Sequence, residues 1–200
     1  MGLQRNLPDN GAAVAIPLAE RLRPVNLSEV VGQGHLLGPE GPIGRMVANR
    51  KLASMILWGP PGCGKTTIAR LLAEVSALEF VSLSAILSGV AELRKIFEAA
   101  EARQAEGRGT LLFVDEIHRF NRSQQDSFLP YVERGVVTLI GATTENPSFE
   151  LNGALLSRAQ VFVLKRLDET AMAALLKRAE EVSGKTLTLT DEARLHLLSL

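Results

Sequence analysis

Short apolar runs alternate with longer amphipathic stretches along most of this chain. The runs are rich in β-branched and aromatic side chains and predict five strands, at 55–58, 80–83, 110–114, 136–140 and 161–164. The stretches between them predict helices, among them 68–76, 90–105 and 123–133. Strands that are apolar throughout and separated by helices form parallel sheets covered on both faces. The pattern therefore predicts an α/β fold with a parallel sheet.

The last part of the chain, residues 167–200, predicts helices only. One helix is expected at 168–182 and ends at Gly184, and a second begins near 190–192. A stripe of leucines follows the second helix to the end of the sequence without a cap or a partner helix: Leu195, Leu197, Leu198 and Leu200. We therefore expect the sequence to stop inside a helical second domain.

Composition narrows the class of protein. With 200 residues, of which 46% are hydrophobic, the chain can bury a core and form one domain, which we place at 17–166 after a flexible tail at 1–16. Lys plus Arg and Asp plus Glu both number 22, so no overall basic field points to nucleic acid. The single cysteine excludes a disulfide framework and suits a reducing cytoplasm. No run is long enough for a signal peptide or a membrane span.

The most specific motif is the string Gly-Pro-Pro-Gly-Cys-Gly-Lys-Thr at 59–66, which follows the first predicted strand and matches the phosphate-binding loop G-x-x-x-x-G-K-[ST]. The backbone amides of such a loop point at phosphates, and the start of the next helix adds a positive field. Lys65 is expected to reach the β and γ phosphates, and Thr66 to offer its hydroxyl to Mg²⁺. The predicted ATP-binding residues are Gly59, Pro60, Pro61, Gly62, Cys63, Gly64, Lys65, Thr66 and Thr67.

Two adjacent carboxylates end the third predicted strand. A strand this apolar cannot end in two charges inside the fold without a cation or hydrogen-bond donors nearby. Asp115 is expected to hold Mg²⁺ through its water shell, and Glu116 to orient and polarise an attacking water. His118 follows two positions later, and we interpret it as a structural or coupling residue.

Two further polar positions are less specific. Thr143, Thr144 and Asn146 follow the fourth predicted strand, where a threonine or asparagine side chain could contact the γ-phosphate or the attacking water. Arg158 stands just before the last strand, on a short helix that begins at Asn152. Spacing alone leaves open whether this arginine is functional or is a cation that stabilises a helix end.

These motifs, in this order, resemble the AAA+ ATPases of the clamp-loader and RuvB clade. The longer strings at 118–126 and 141–152 resemble the RarA family of replication-associated recombination proteins, also called MgsA, which includes the eukaryotic Werner-helicase-interacting protein. The resemblance covers about residues 17–200. It implies a three-layer αβα P-loop domain at 17–166, followed by the incomplete start of an all-α lid at 167–200.

The resemblance implies a role for each candidate catalytic residue. Lys65 is similar to the Walker A lysine and Glu116 to the Walker B glutamate. Thr144 is similar to the residue called sensor 1, with Thr143 as the alternative one position away. Arg158 resembles the arginine finger, which is inserted into the site of a neighbouring subunit.

The resemblance also implies residues for the metal and the adenine. Thr66 and Asp115 are the expected Mg²⁺ ligands, and Val31 and Gly32 are expected to line the adenine pocket. Ser84 is a weak candidate for a switch that restrains Glu116.

The function implied by the resemblance is that of an ATP-hydrolysing motor core that acts on DNA at forks, gaps or single-strand/double-strand junctions, together with single-strand-binding protein. The family forms tetramers, and its oligomerisation domain and sensor 2 arginine are expected beyond Leu200. We therefore expect this chain alone to be monomeric and a weak ATPase, in the bacterial cytoplasm with the nucleoid and without membrane contact. One alternative is a nucleotide-gated protein-interaction module. A small-molecule kinase is less favoured, because kinases of that class lack a pairing like that of Glu116 with Arg158.

Overall fold

The computed structural model describes residues 17–186, 188–190, 192–193 and 196. The strands are β1 (Met55–Trp58), β2 (Glu79–Ser84), β3 (Thr110–Asp115), β4 (Val137–Thr143) and β5 (Gln160–Val163). The helices are α1 (Leu18–Arg21), α2 (Gly34–Leu37), α3 (Pro42–Ala48), α4 (Lys65–Val75), α5 (Val90–Ala105), α6 (Arg122–Asp126), α7 (Leu129–Glu133), α8 (Pro147–Glu150), α9 (Gly153–Leu156) and α10 (Glu169–Ser183). Two short 3₁₀ helices lie at Leu27–Glu29 and Ile117–Arg119.

The five strands form one parallel sheet in the order β2-β3-β4-β1-β5, as the sequence predicts. Trp58 pairs with Thr143, so β1 and β4 end at the same level of the sheet. This pairing also explains why β4 extends to Thr143 rather than ending at residue 140, because β1 provides a partner along that length. The order places β4 between β1 and β3, and thereby brings together the ends that carry the polar motifs.

Alternate residues of the central strands enter two separate cores. Ile56 and Leu112 pack on one face with residues of α5, whereas Leu57 and Leu111 pack on the other face with residues of α4. A strand whose two sets of side chains are both buried must be covered by helices on both sides. The expected three-layer αβα arrangement is confirmed.

The predicted helix at 123–133 is wrong as a single element. The chain forms two short helices instead, α6 and α7, and Pro130 lies in the first turn of the second. Proline lacks a backbone N–H and clashes with the preceding turn, so it is accommodated at a helix start rather than inside a helix.

The helix expected at 168–182 is confirmed as α10, with Asp168 as its N-cap and Gly184 in the left-handed conformation at its end. The leucine stripe at 195–200 and the tail at 1–16 lie outside the described residues. None of the helices in the described ranges is long and apolar enough to cross a membrane.

Candidate nucleotide-binding site

The ends of β1, β4 and β3 open onto one polar cavity of about 450 Å³. The backbone N–H of Gly59, the first residue after β1, donates to the carbonyl oxygen of Thr143 at the end of β4 (3.1 Å). Ligands of parallel α/β sheets bind at this edge, outside the carboxyl ends of the strands. The cavity is lined by Ala19, Arg23, Pro61, Gly62, Gly64, Lys65, Thr66, Thr67, Asp115, Glu116 and Thr144.

The loop after β1 leads directly into α4. Gly64 is the N-cap of α4 and has φ of 96°, a left-handed conformation that glycine adopts without a steric penalty. It offers no side-chain oxygen to the first backbone N–H groups of the helix. Because Gly64 and the first-turn residues Thr66 and Thr67 line the polar cavity, the positive end of α4 faces it. This is the geometry that binds phosphate.

Lys65 is almost completely buried, with 8% of its surface exposed. Its ammonium group donates hydrogen bonds to the carbonyl oxygens of Gly59 (2.7 Å) and Pro60 (2.9 Å). A buried charge must be compensated by hydrogen bonds or an opposite charge. Lys65 therefore links the start of the loop to the start of α4, and it lines the polar cavity.

Thr66 and Asp115 line the same cavity, the first from α4 and the second from the end of β3. The described residues contain no group of three or more His, Cys, Asp or Glu side chains placed to hold a metal ion. A hydroxyl and a carboxylate nevertheless fit Mg²⁺, which usually keeps several waters and binds one or two carboxylates together with substrate phosphates. The pair suits a cation that binds with a nucleotide.

Glu116 has an uncommon backbone conformation for a residue with a side chain, with φ of 53°. Its carboxylate Oε2 lies 3.3 Å from Nε2 of His118, whose other ring nitrogen, Nδ1, is 2.9 Å from Oγ1 of Thr143. Such backbone strain persists only where the surroundings enforce it, and it is concentrated at functional sites. The His118 ring thus contacts this carboxylate, and Ser84, at the end of β2, is paired in register with Asp115, the residue before Glu116.

Thr143, the last residue of β4, and Thr144, which follows it, have different environments. Thr144 lines the polar cavity, whereas Thr143 has no exposed surface and contacts His118. Side chains of consecutive residues point in opposite directions near a strand end. Of the two, Thr144 has access to a molecule in the cavity.

A second cavity of about 360 Å³ adjoins the polar one and is mainly apolar. Val31 lines it, while Gly32 packs against one of its lining residues, where a Cβ would lie 2.7 Å from Cδ2 of Leu167. Cys63 is buried at its edge, and burial raises the pKa of this thiol. The lining residues are Ala19, Leu22, Arg23, Pro24, Val30, Val31, Gly62, Cys63, Gly64, Thr67, Leu167 and Leu175. An apolar cavity beside a phosphate loop has the chemistry needed for a flat base.

Two residues of the site had no function assigned from the sequence. Arg23 lines both cavities and brings a positive charge to the boundary between them. Gln33 is fully buried, and its amide donates to the carbonyl oxygen of Lys165 (2.8 Å) and accepts from the backbone N–H of the same residue (3.1 Å). It thereby fixes the segment before the loop to the chain that leaves β5. No local motif specifies these positions, and the partner of Gln33 lies 132 positions away along the chain.

Arg158 is not among the described residues that line the polar cavity. Its guanidinium forms an ion pair with Glu133 and donates to the carbonyl oxygen of Ala154 (2.9 Å). The side chain remains 36% exposed at the surface. The preceding helix begins as expected, with the Asn152 side chain accepting from the backbone N–H of Leu155 (2.7 Å).

Comparison with known proteins identifies the same family by a family model and by individual relatives. Residues 55–167 match the AAA family model, described as the ATPase family associated with various cellular activities. The chain is 56% identical over 164 residues to replication-associated recombination protein A of Coxiella burnetii, covering 82% of this chain and 37% of that protein. It is 47% identical over 167 residues to the ATPase WRNIP1 of Dictyostelium discoideum, covering 84% and 19%. The chain thus spans less than half the length of these curated relatives.

The fold also has solved counterparts. The Thermotoga maritima RuvB Holliday junction branch migration motor superposes with a TM-score of 0.66 at 29% identity, covering 82% of this chain and 55% of that one.

Proposed function

We propose that this chain binds ATP with Mg²⁺ and hydrolyses it as the motor core of a DNA-processing protein. The premise is that the chain belongs to the AAA family of ATPases and, within it, to the family of replication-associated recombination protein A. The observation that carries this proposal is that the start of α4, the end of β3 and the segment after β4 meet at one cavity, where they contribute Lys65, Thr66, Asp115, Glu116 and Thr144. A phosphate loop, a cation site and a carboxylate at the same cavity are the parts that nucleotide hydrolysis requires.

Each side chain contributes a separate function. The loop amides and Lys65 bind the phosphates, and the apolar cavity next to them accepts the adenine. Thr66 and Asp115 would hold Mg²⁺, which would supply neutralisation of charge on the phosphate oxygens. Glu116 orients and polarises the attacking water, and Thr144 donates its hydroxyl to the γ-phosphate or to that water.

The DNA part of the proposal rests on the relatives. Their names refer to replication-associated recombination and to Holliday junction branch migration. We propose that the substrate is branched or gapped DNA in the bacterial cytoplasm, at the nucleoid, and that single-strand-binding protein is a partner. In a full-length tetramer, Arg158 would enter the site of the neighbouring subunit. The chain carries no net charge, so DNA contact would depend on a local patch or on assembly.

The experiment is a phosphate-release assay of the 200-residue chain with and without a forked DNA, with Glu116→Gln as the hydrolysis control. We expect slow release that depends on Glu116 and rises on addition of fork, whereas an unbranched duplex of the same length has less effect. Release that is unaffected by every DNA structure would favour the nucleotide-gated protein-interaction module instead. Transfer of the γ-phosphate to a metabolite would contradict hydrolysis as the reaction.

A further inference from the structure

His118 bridges two strand ends of the site through both of its ring nitrogens. Nε2 is 3.3 Å from Oε2 of Glu116, which follows β3, and Nδ1 is 2.9 Å from Oγ1 of Thr143, which ends β4. We infer that His118 is a positioning residue that couples the end of β4 to the carboxylate of Glu116. This inference rests on the proposed function, because it concerns how the proposed water-polarising group is held.

The hydrogen-bond groups of the bridge are mutually compatible. A neutral imidazole carries one protonated and one accepting nitrogen. With the proton on Nε2, facing the carboxylate, Nδ1 accepts from the hydroxyl of Thr143. The Thr143 oxygen accepts in turn from the backbone N–H of Glu145 (3.0 Å). The backbone of Glu145, the Thr143 hydroxyl and Nδ1 are therefore joined by hydrogen bonds, and they hold Nε2 in close N···O contact with the Glu116 carboxylate, at 3.3 Å.

Burial and local backbone structure make this bridge rigid. The His118 side chain is only 6% exposed, and Thr143 is not exposed at all. A 3₁₀ helix at Ile117–Arg119 turns the chain back directly after β3, and the fully buried Ile117 anchors it. The positive φ of Glu116 is part of the same turn. Packed groups of this kind adopt discrete arrangements, so a shift at one end displaces the other.

The β4 end of the bridge adjoins one residue of the polar cavity and the first residue of the phosphate-binding loop. Thr144, the next residue, lines the polar cavity, and the carbonyl oxygen of Thr143 accepts the backbone N–H of Gly59 at the start of the loop. A γ-phosphate contact that moves Thr144 would therefore also displace Thr143 and, through His118, change the position of the Glu116 carboxylate. Thr143 acts in this arrangement as a positioning residue without touching the nucleotide.

The first test substitutes the threonine hydroxyl. Thr143→Val keeps the shape of the side chain but removes the hydrogen bond to His118, while Thr143→Ser keeps that bond. Thr138→Val is the matched control, since Thr138 lies at the opposite end of the same strand. We expect Thr143→Val to lower kcat roughly 10-fold, the equivalent of one hydrogen bond to a charged network, with Kd for ATP within about twofold of the parent. Thr143→Ser and Thr138→Val should keep the parent kcat.

A double-mutant cycle tests whether the two residues act as one unit. Adding His118→Asn to Thr143→Val should lower kcat little further than either change alone, because each breaks the same bridge. Losses that multiply, or a parent kcat in folded Thr143→Val, would overturn the inference. If Glu116→Gln hydrolysed ATP at the parent rate, the proposed function of Glu116 would fail first.

A spectroscopic measurement tests the bridge without any turnover. The chain has three histidines, so the imidazole ¹⁵N signals of His118 can be assigned by their loss in His118→Asn. These signals should shift in Thr143→Val and in Glu116→Gln and stay unchanged in Thr138→Val. Ring signals that are unchanged in the first two variants would overturn the inference, whether or not the chain hydrolyses ATP.

Discussion

The ammonium group of Lys65 and the carbonyl oxygen of Gly59 are joined by a hydrogen bond of 2.7 Å across the loop to which both belong. The acceptors of this buried cation are neutral carbonyl groups. Phosphate oxygens form stronger, charge-assisted hydrogen bonds with an ammonium group. Phosphate oxygens of a bound nucleotide would therefore replace these carbonyl oxygens as hydrogen-bond acceptors of Lys65, which lines the polar cavity.

The first prediction concerns this lysine. Lys65→Ala removes the only side-chain cation that the loop itself contributes, and we expect ATP binding to weaken by roughly 100-fold, the equivalent of one or two charge-assisted hydrogen bonds. Titration with a fluorescent ATP analogue measures this directly. Lys51→Ala, which removes a lysine that lines neither cavity, is the control and should bind as the parent does. Equal Kd values for Lys65→Ala and the parent would exclude the loop as the phosphate site.

The second prediction uses the single cysteine of the chain. Cys63 is 3% exposed, and burial raises the pKa of its thiol, so little reactive thiolate is present at neutral pH. Iodoacetamide should therefore alkylate the folded chain much more slowly than the chain in urea. Because Cys63 lines the apolar cavity, ATP should slow the reaction further. Mass spectrometry follows the adduct, and an alkylation rate unaffected by saturating ATP would contradict the assignment of that cavity to the adenine.

The third prediction concerns pH and the attachment of α10. The backbone N–H of Val25 and the guanidinium of Arg178 hold the pKa of Glu29 below its ordinary value. A depressed carboxyl pKa stabilises the folded state above the ordinary pKa, and this stabilisation is lost as the pH falls through the lower, folded-state value. The thermal midpoint of the parent should therefore fall more between about pH 5 and pH 3 than that of Glu29→Gln.

The control for this pH effect is Glu98→Gln, because Glu98 pairs with Arg94 only at 3.9 Å on an exposed helix face. Its midpoint should decline with acid as steeply as that of the parent. If Glu29→Gln and the parent declined in parallel, Glu29 would not contribute to the attachment of α10 to the segment before the loop.

The fourth prediction concerns Arg158, which is paired with Glu133 in its own chain. If it acts in a neighbouring site, its effect requires contact between subunits, and such arginines contribute on the order of 10³ to 10⁵ in rate. Arg158→Ala should therefore change the activity of dilute, monomeric protein little. In a longer, assembled form it should abolish turnover and leave ATP binding intact.

Mixing experiments separate the two placements of Arg158. Arg158→Ala subunits mixed with Lys65→Ala subunits should recover part of the activity, because each supplies what the other lacks. A large defect of Arg158→Ala in protein shown to be monomeric would place the arginine in the site of its own subunit.

Local sequence patterns predict the parts of the candidate site that depend on neighbours along the chain. A short motif specifies the loop at 59–66 and an apolar strand specifies the carboxylates at the end of β3, and residues of both line the polar cavity. The bridge from Thr143 to His118 is not predicted by such a pattern, since it joins residues 25 positions apart and depends on the pairing of β3 with β4. Gln33 is a similar case, because its partner Lys165 is 132 positions away. Strand order, rather than any local pattern, brings these groups together.

The bounds of two predicted helices also show where local sequence patterns are sufficient and where they are not. The helix at 90–105 was predicted with its observed bounds, because no residue in it opposes helix formation. The stretch 123–133 has helical periodicity, but Pro130 and the packing of the fully buried Phe128 divide it. This break places Glu133 at the end of α7, where it meets Arg158.

The most direct test of the central claim is single-turnover hydrolysis of γ-labelled ATP by the parent chain and by Glu116→Gln, with ATP binding measured in parallel. Glu116→Gln keeps the shape of the side chain and the loop, so it should bind ATP with the parent Kd. It should release phosphate roughly 100- to 10,000-fold more slowly, the range expected for loss of a general base. Phosphate release by Glu116→Gln at the parent rate would contradict the account.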